Sequence, residues 1–121
     1  MLFPLTRRSI GQDGERSAER YLLKQGMRLL TRNYRCATGE IDLIMNDGDT
    51  LVFVEVRRRK SSQYGSPLET ISASKQRKII SAAQYFLLDQ KISSRQSMRF
   101  DVVGVICDGP QERIEWVRNA F

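Results

Sequence analysis

The most regular pattern in the chain runs through residues 39 to 56, "GEIDLIMNDGDTLVFVEV", where apolar residues recur with a period of two on both sides of a polar centre. That period, with the β-branched and aromatic content, predicts two strands. Asp47-Gly48 is the dipeptide that a two-residue type I′ turn prefers, because both central residues need positive φ, so a hairpin is expected. With Asp47 and Gly48 at the centre, Asn46 faces Asp49, Met45 faces Thr50, Asp42 faces Phe53 and Glu40 faces Glu55. Alternation then places Ile41, Leu43, Met45, Val52, Val54 and Val56 on one face, fit to pack against helices. Glu40, Asp42, Ile44, Leu51, Phe53, Glu55 and Arg57 fall on the other. A slip by one residue would mix charges into the apolar face.

Elsewhere the period changes. In residues 11 to 25, "GQDGERSAERYLLKQ", Ala18, Tyr21, Leu22 and Gln25 follow the 3.6 repeat of a helix, which Gly26 can end. "MRLLTRNYR" predicts a first strand around 27 to 34. Residues 61 to 68, "SSQYGSPL", read as loop, and a second helix is expected over about 69 to 90, with Ile79, Ile80, Ala83, Phe86 and Leu87 on one stripe. "RFDVVGVI" at 99 to 106 is a buried-type strand, "CDGPQE" a turn and "RIEWV" a last short strand. There is no internal repeat and no linker. The order of one helix, three strands, one helix and two strands predicts an α/β fold with a mixed central sheet, a single domain over residues 1–121 with residues 1–10 as a flexible N-terminal segment.

Composition narrows the classes. A chain of 121 residues buries roughly 65% of its unfolded surface and can fold alone. With 40% hydrophobic and 28% charged residues it is ordinary for a globular protein, and no apolar run approaches the ~18 residues of a membrane-spanning helix. "MLFPLTRRS" is too short in its apolar part for a secretory signal, so no membrane partner and a cytoplasmic location are expected. There is no histidine, and the two cysteines, Cys36 and Cys107, lack CxxC spacing. This argues against zinc and histidine chemistry and reads as two buried, reduced thiols.

The net charge of +6 and pI near 9.7 are compatible with a polyanion. More telling are the clusters "RRRK" (Arg57, Arg58, Arg59, Lys60) and "KQRK" (Lys75 to Lys78, including Arg77), with Arg28, Arg32 and Arg35 as a third group. Such clusters contact phosphates without reading base sequence. Among the aromatic residues Tyr34, Tyr64 and Trp116 have the setting for base stacking, Tyr64 from its loop; a loop tyrosine equally packs its own loop down.

Within this basic surround the hairpin acids are conspicuous. The expected register makes Asp42 and Glu55 diagonal neighbours about 7–8 Å apart, near enough to share one ion, and opposes Glu40 to Glu55. Opposed like charges need neutralising, by a divalent metal or by Arg57 or Arg59. A solvated sheet edge with arginine-paired acids is the plainer alternative; the flanking Ile44, Leu51 and Phe53 favour a partly covered site.

The arrangement of Asp42 on one strand, a turn, and Glu55-Val56-Arg57 on the next resembles the D…(E/Q)xK core of restriction-endonuclease-like nucleases. More closely, "GEIDLI", "FVEVRRR" and "RFDVV" together resemble the YraN family of bacterial endonuclease-like proteins, similar to archaeal Holliday-junction resolvases, over about Gly11 to Trp116. The resemblance implies a restriction-endonuclease-like αβββαββ core and a phosphodiesterase in which Asp42 and Glu55 hold Mg2+ or Mn2+. Such an ion lowers the pKa of an attacking water and offsets charge on the phosphate. The third motif position, normally lysine, is Arg57, which can clamp a phosphate but stays protonated and takes no proton from water.

Three further residues carry over. Glu15 matches an acid that related resolvases add to the metal site, although a solvated glutamate in a helix is as good a reading. Lys75 sits four residues before Ile79, where its ammonium could reach a phosphate or the carboxylates, or snorkel over the core edge. Asp101 is an accessory at most, a structural acid pairing Arg99 or a hairpin arginine. The resemblance thus implies a nuclease on structured, branched DNA; a non-catalytic nucleic-acid-binding module, or a protein-interaction subunit of the same fold, is the alternative. A junction presents two equivalent cuts, which favours a homodimer, and the edge strand at "RIEWV" offers an interface.

Overall fold

The computed structural model describes residues 7–60 and 66–121, with the side chains of the first helix from residue 14 onward. Helix α1 spans Arg7–Lys24, followed by strands β1 (Arg28–Cys36), β2 (Gly39–Asp47) and β3 (Thr50–Lys60). A 3-10 turn at Pro67–Thr70 leads to helix α2 (Ala73–Asp89), and strands β4 (Met98–Asp108) and β5 (Gln111–Val117) complete the chain. The sheet order is β1-β2-β3-β4-β5. Only β3 and β4 are parallel, joined by the crossover through α2; the other pairs are antiparallel. This is the αβββαββ order of the restriction-endonuclease-like fold, a five-stranded mixed sheet flanked by two helices.

Local signals set the helix ends. The Met27 N–H donates to the Leu22 carbonyl and the Gly26 N–H to that of Leu23, so the bonds of a Schellman motif close α1. Ser72 caps α2 by accepting the Lys75 N–H at 3.1 Å. The second helix therefore starts at Ala73 rather than near 69, and Pro67–Thr70 forms a separate turn before it.

Both faces of the sheet are covered, where the pattern predicted one. Ala18 and Leu22 of α1 pack on Leu43, Met45, Val52, Val54, Val103 and Val105. Ile79, Ala82, Ala83 and Phe86 of α2 pack on Ile44, Leu51, Phe53, Phe100 and Val102. The cause lies in "LVFV" and "VVGVI", unbroken apolar runs that suit central strands buried on both sides. Phe53 stacks on Phe100 at 5.4 Å and meets the Phe86 ring edge at 6.1 Å. Burying each such side chain contributes about 1.5–3 kcal/mol.

The hairpin register differs from expectation by two residues. Asp47 pairs with Thr50, Asn46 with Leu51, Met45 with Val52, Ile44 with Phe53 and Leu43 with Val54. Gly48 and Asp49 thus form the turn, and of the two only Gly48, at φ +59°, has positive φ. Glycine first suits a type II′ turn, which spares Asp49 the left-handed conformation that a type I′ turn would require. The ladder ends at Leu43↔Val54, and the next residues along it are Asp42 and Glu55, level rather than diagonal. Glu40 consequently does not face Glu55; it lies opposite Arg35 of β1 and pairs with it at 3.3 Å.

Strict alternation also fails at this point. Ile41 packs on the α2 side together with Ile44, while Leu43 packs on the α1 side, so Ile41 leaves the face the sequence pattern gave it. The neighbouring strand does the same: Arg32 bonds Glu19 of α1, whereas Tyr34 packs on Phe86 of α2. Between them Asn33 has φ +52°. Asparagine tolerates the left-handed region better than most residues, and one such residue re-aims the side chains that follow it.

Candidate functional site: a buried acid cluster at a strand divergence

Where the β2–β3 ladder stops, the Asp42 side chain takes over a backbone bond. Its Oδ2 accepts the Val56 N–H at 2.8 Å, which ties the carboxyl to β3. Glu55 is 6% exposed, faces α2, and lies near enough to Asp42 for the two carboxyls to act on one another. From the other side of the sheet Glu15 of α1 comes near enough to Asp42 and Asn33 for both to act on its titration. The left-handed Asn33 thus serves the site directly, a residue that sequence reasoning passed over although "TRNYR" sets a strand-disfavouring asparagine inside a strand.

Cations close the cluster. Lys75 Nζ lies 3.7 Å from Glu55 Oε2, an ion-pair distance too long for a hydrogen bond. Arg57 donates from Nε to Thr70 Oγ1 at 2.9 Å and from Nη2 to the Thr70 carbonyl at 3.2 Å, and its charge still acts on Glu55. Thr70, in turn, donates to the Pro67 carbonyl at 2.7 Å. The 3-10 turn before α2 therefore fixes the guanidinium, a role for Thr70 that no sequence signal announced.

The carboxyls titrate abnormally. Burial, then the hydrogen bond and charge of Asp42, push Glu55 up to about 9, against the downward pull of Lys75 and Arg57. Glu15 is pushed up to about 7 by partial burial and by Asp42. Both shifts have one origin: crowded carboxyls in a poorly solvated place resist holding several negative charges at once. Glu55 Oε2 remains buried without a hydrogen-bond partner.

Other expected residues lie apart from this cluster. Arg58 turns to the α1 side, its Nε 3.2 Å from Cys107 Sγ, and Arg59 is buried against Glu115 at 3.3 Å. Lys60, Arg77 and Lys78 are exposed. Tyr64 lies outside the described residues. Tyr34 and Trp116 pack within the fold, Tyr34 edge-on to Phe86 at 5.2 Å and Trp116 edge-on to Tyr21 at 6.0 Å. Cys36 and Cys107 are free thiols and only half-buried, Cys36 as the last residue of β1 and Cys107 as the last but one of β4.

Asp101, fully buried, faces the α1 side and is saturated. Arg99 Nε donates to both its oxygens at 3.0 and 3.2 Å, Trp116 Nε1 donates at 3.0 Å and the Asn119 N–H at 2.9 Å. Arg99 also meets Asp47 at 2.9 Å. The pairing of Asp101 with Arg99 is as expected, and its work is to tie β4, β5 and the hairpin end together.

Known proteins resemble this chain over nearly its whole length. A UPF0102 protein of Pseudomonas fluorescens (strain Pf0-1) is 49% identical over 111 residues, 92% of this chain and 91% of that one. One from Chromohalobacter salexigens is 48% identical over 92% of this chain and 89% of its own. One from Coxiella burnetii is 43% identical over 120 residues, 99% of this chain and 97% of its own. The model of the uncharacterised protein family UPF0102 matches residues 14–105, which span the acid cluster from Glu15 through Asp42 and Glu55 to Lys75. The chain belongs to the family UPF0102.

Proposed function

We propose that the protein is a metal-dependent endonuclease acting on structured DNA. The observation that carries this reading is the buried Oε2 of Glu55, left without a hydrogen-bond partner in a cluster with Asp42 and Glu15. An orphaned buried oxygen normally costs about 1–3 kcal/mol, so it marks a place where a partner belongs. A hard divalent cation suits this donor set. Among the described residues no three acids or cysteines enclose such an ion by themselves. Two carboxylates completed by water and substrate are the habit of Mg2+, and Mn2+ takes similar ligands.

Asp42 and Glu55 would hold the ion. When bound, it supplies a Lewis acid that lowers the pKa of a water and offsets charge on a phosphate. The chain's own residues do the rest. The Val56 N–H fixes one oxygen of Asp42, Lys75 brings a positive charge beside Glu55, and Arg57, braced by Thr70, offers a clamp for a phosphate oxygen. The exposed Lys60, Arg77 and Lys78 extend positive charge away from the cluster, as a polyanion requires. On this reading the protein works in the cytoplasm, and a four-way junction would call for a homodimer.

A non-catalytic nucleic-acid-binding protein is favoured by one observation, the Arg57 side chain held by Thr70 where the motif has lysine. Cleavage of labelled four-way-junction, flap, single-stranded and linear DNA in Mg2+ and Mn2+ separates the two, with Asp42→Ala and Glu55→Ala prepared alongside. We expect cleavage by the wild type and a loss of about 100-fold or more in each variant. Salt-sensitive binding without cleavage would leave only the binding protein standing.

A further inference from the structure

On the α2 side the carboxylates open into a second feature, a cleft of about 400 Å3 between the β1–β2 turn and the N-terminal half of α2. Arg35, Lys75 and Lys78 bring three cations to its walls, and Glu40 one anion. Glu40 is answered by Arg35 and Lys75 faces Glu55, while Lys78 makes no ion pair among the described residues. The cleft shares Lys75 with the acid cluster, so the two are continuous.

The floor is built closely. Thr38 accepts the Ser81 hydroxyl at 3.0 Å and lies 3.4 Å from Cys36 Sγ. A Cβ on Gly39 would stand 2.9 Å from the Lys78 carbonyl, so only glycine lets the turn approach α2 this far. Hydroxyl and thiol groups line the floor and cations the rim, the chemistry that receives a phosphodiester.

A cavity of about 370 Å3 on the α1 side of the same cluster is the natural comparison. Its Arg32 is committed to Glu19 through two bonds of 2.6 and 2.9 Å, its Arg20 leans on Ser17 at 3.4 Å, and Glu15 and Glu19 both contribute acid. Two carboxyls among three arginines leave it a poor seat for a phosphate.

We propose that the α2-side cleft is the subsite for the phosphodiester next to the one held at the carboxylates, so that a nucleic-acid strand leaves the site across the N-terminal half of α2. This rests on the nucleic-acid reading above, and the test separates the two. Cys36 lies in the cleft and is half-buried, with its pKa lowered by Thr38, which favours the reactive thiolate. Its alkylation by iodoacetamide can be followed by peptide mass spectrometry in the wild-type protein, with and without a saturating single-stranded 12-mer or four-way junction in Ca2+. Binding is read in parallel by fluorescence anisotropy.

We expect alkylation of Cys36 to slow about fivefold or more when the oligonucleotide binds. Lys78→Glu should weaken binding about tenfold and reduce the salt slope by about 1, while Arg20→Glu changes affinity much less. Unchanged Cys36 reactivity at proven saturation, or equal losses in Lys78→Glu and Arg20→Glu, would overturn the subsite and leave the nuclease reading intact. Wild-type protein that binds neither probe would remove both.

Discussion

Asp101 and Glu55 occupy neighbouring strands one step apart in the parallel ladder, Val54↔Asp101 beside Glu55↔Val102, and both are buried. They differ in what surrounds them. Asp101 takes four hydrogen bonds, two from Arg99 Nε and one each from Trp116 Nε1 and the Asn119 N–H. Glu55 has the acid Asp42 acting on it, an orphaned oxygen and a pKa pushed up to about 9. A buried carboxylate enclosed by donors is a structural joint. One set beside another acid, with an oxygen left unbonded, is the more strained of the two and marks the candidate site.

Removing each acid should therefore have opposite consequences. Asp101→Ala leaves Arg99 Nε, the Trp116 N–H and the Asn119 N–H without their acceptor, and should lower stability by about 3–5 kcal/mol in urea unfolding. A loss below about 1 kcal/mol would show that Asp101 is not the joint described. Glu55→Gln should instead leave the metal-free protein as stable or more so. Because the folded-state pKa is raised from 4.5 towards 9, the folded chain holds a proton that the unfolded chain has released. Wild-type stability then falls as pH rises through that window, by linkage of protons to folding. The variant should pull ahead across it, most at pH 9 and by almost nothing at pH 4. A wild type and variant that unfold in parallel across the whole range would break the contrast. The smallest effect is expected from Thr70→Val, which removes the brace on Arg57 Nε and the bond to the Pro67 carbonyl. A cost of about 1 kcal/mol by thermal melting would place Arg57 among the positioned groups of the site.

Much of the architecture was legible because it rests on periodicity. The apolar stripes of α1 and α2, the unbroken runs of β3 and β4, and the order of elements follow from residue type alone. The details at the site did not follow. Asp47-Gly48 and Gly48-Asp49 are both plausible turn centres, and which one wins depends on a cross-strand fit the hairpin does not encode locally. The Ile41 reversal stems from Asn33, a residue in another strand whose unusual φ becomes meaningful only once β1 and β2 lie side by side. Asp42 and Glu55 stood out as charges in apolar settings and Lys75 entered through the family resemblance, whereas Thr70 and the Cys36–Thr38 floor enter through tertiary contacts spanning 13 and 43 residues of sequence.

The same Asn33 bears on the outer margin of the sheet. β1 is an outer strand of the sheet; its pairing with β2 is interrupted between Leu29 and Thr31, it twists through a left-handed residue at Asn33, and it carries Arg28, Arg32 and Arg35 on exposed positions. Each of these obstructs the addition of a further strand. The opposite edge, β5, pairs with β4 in unbroken register from Gln111 to Val117. Growth of the sheet from molecule to molecule would need two receptive margins, so the obstruction at β1 works against open-ended strand addition into a fibre.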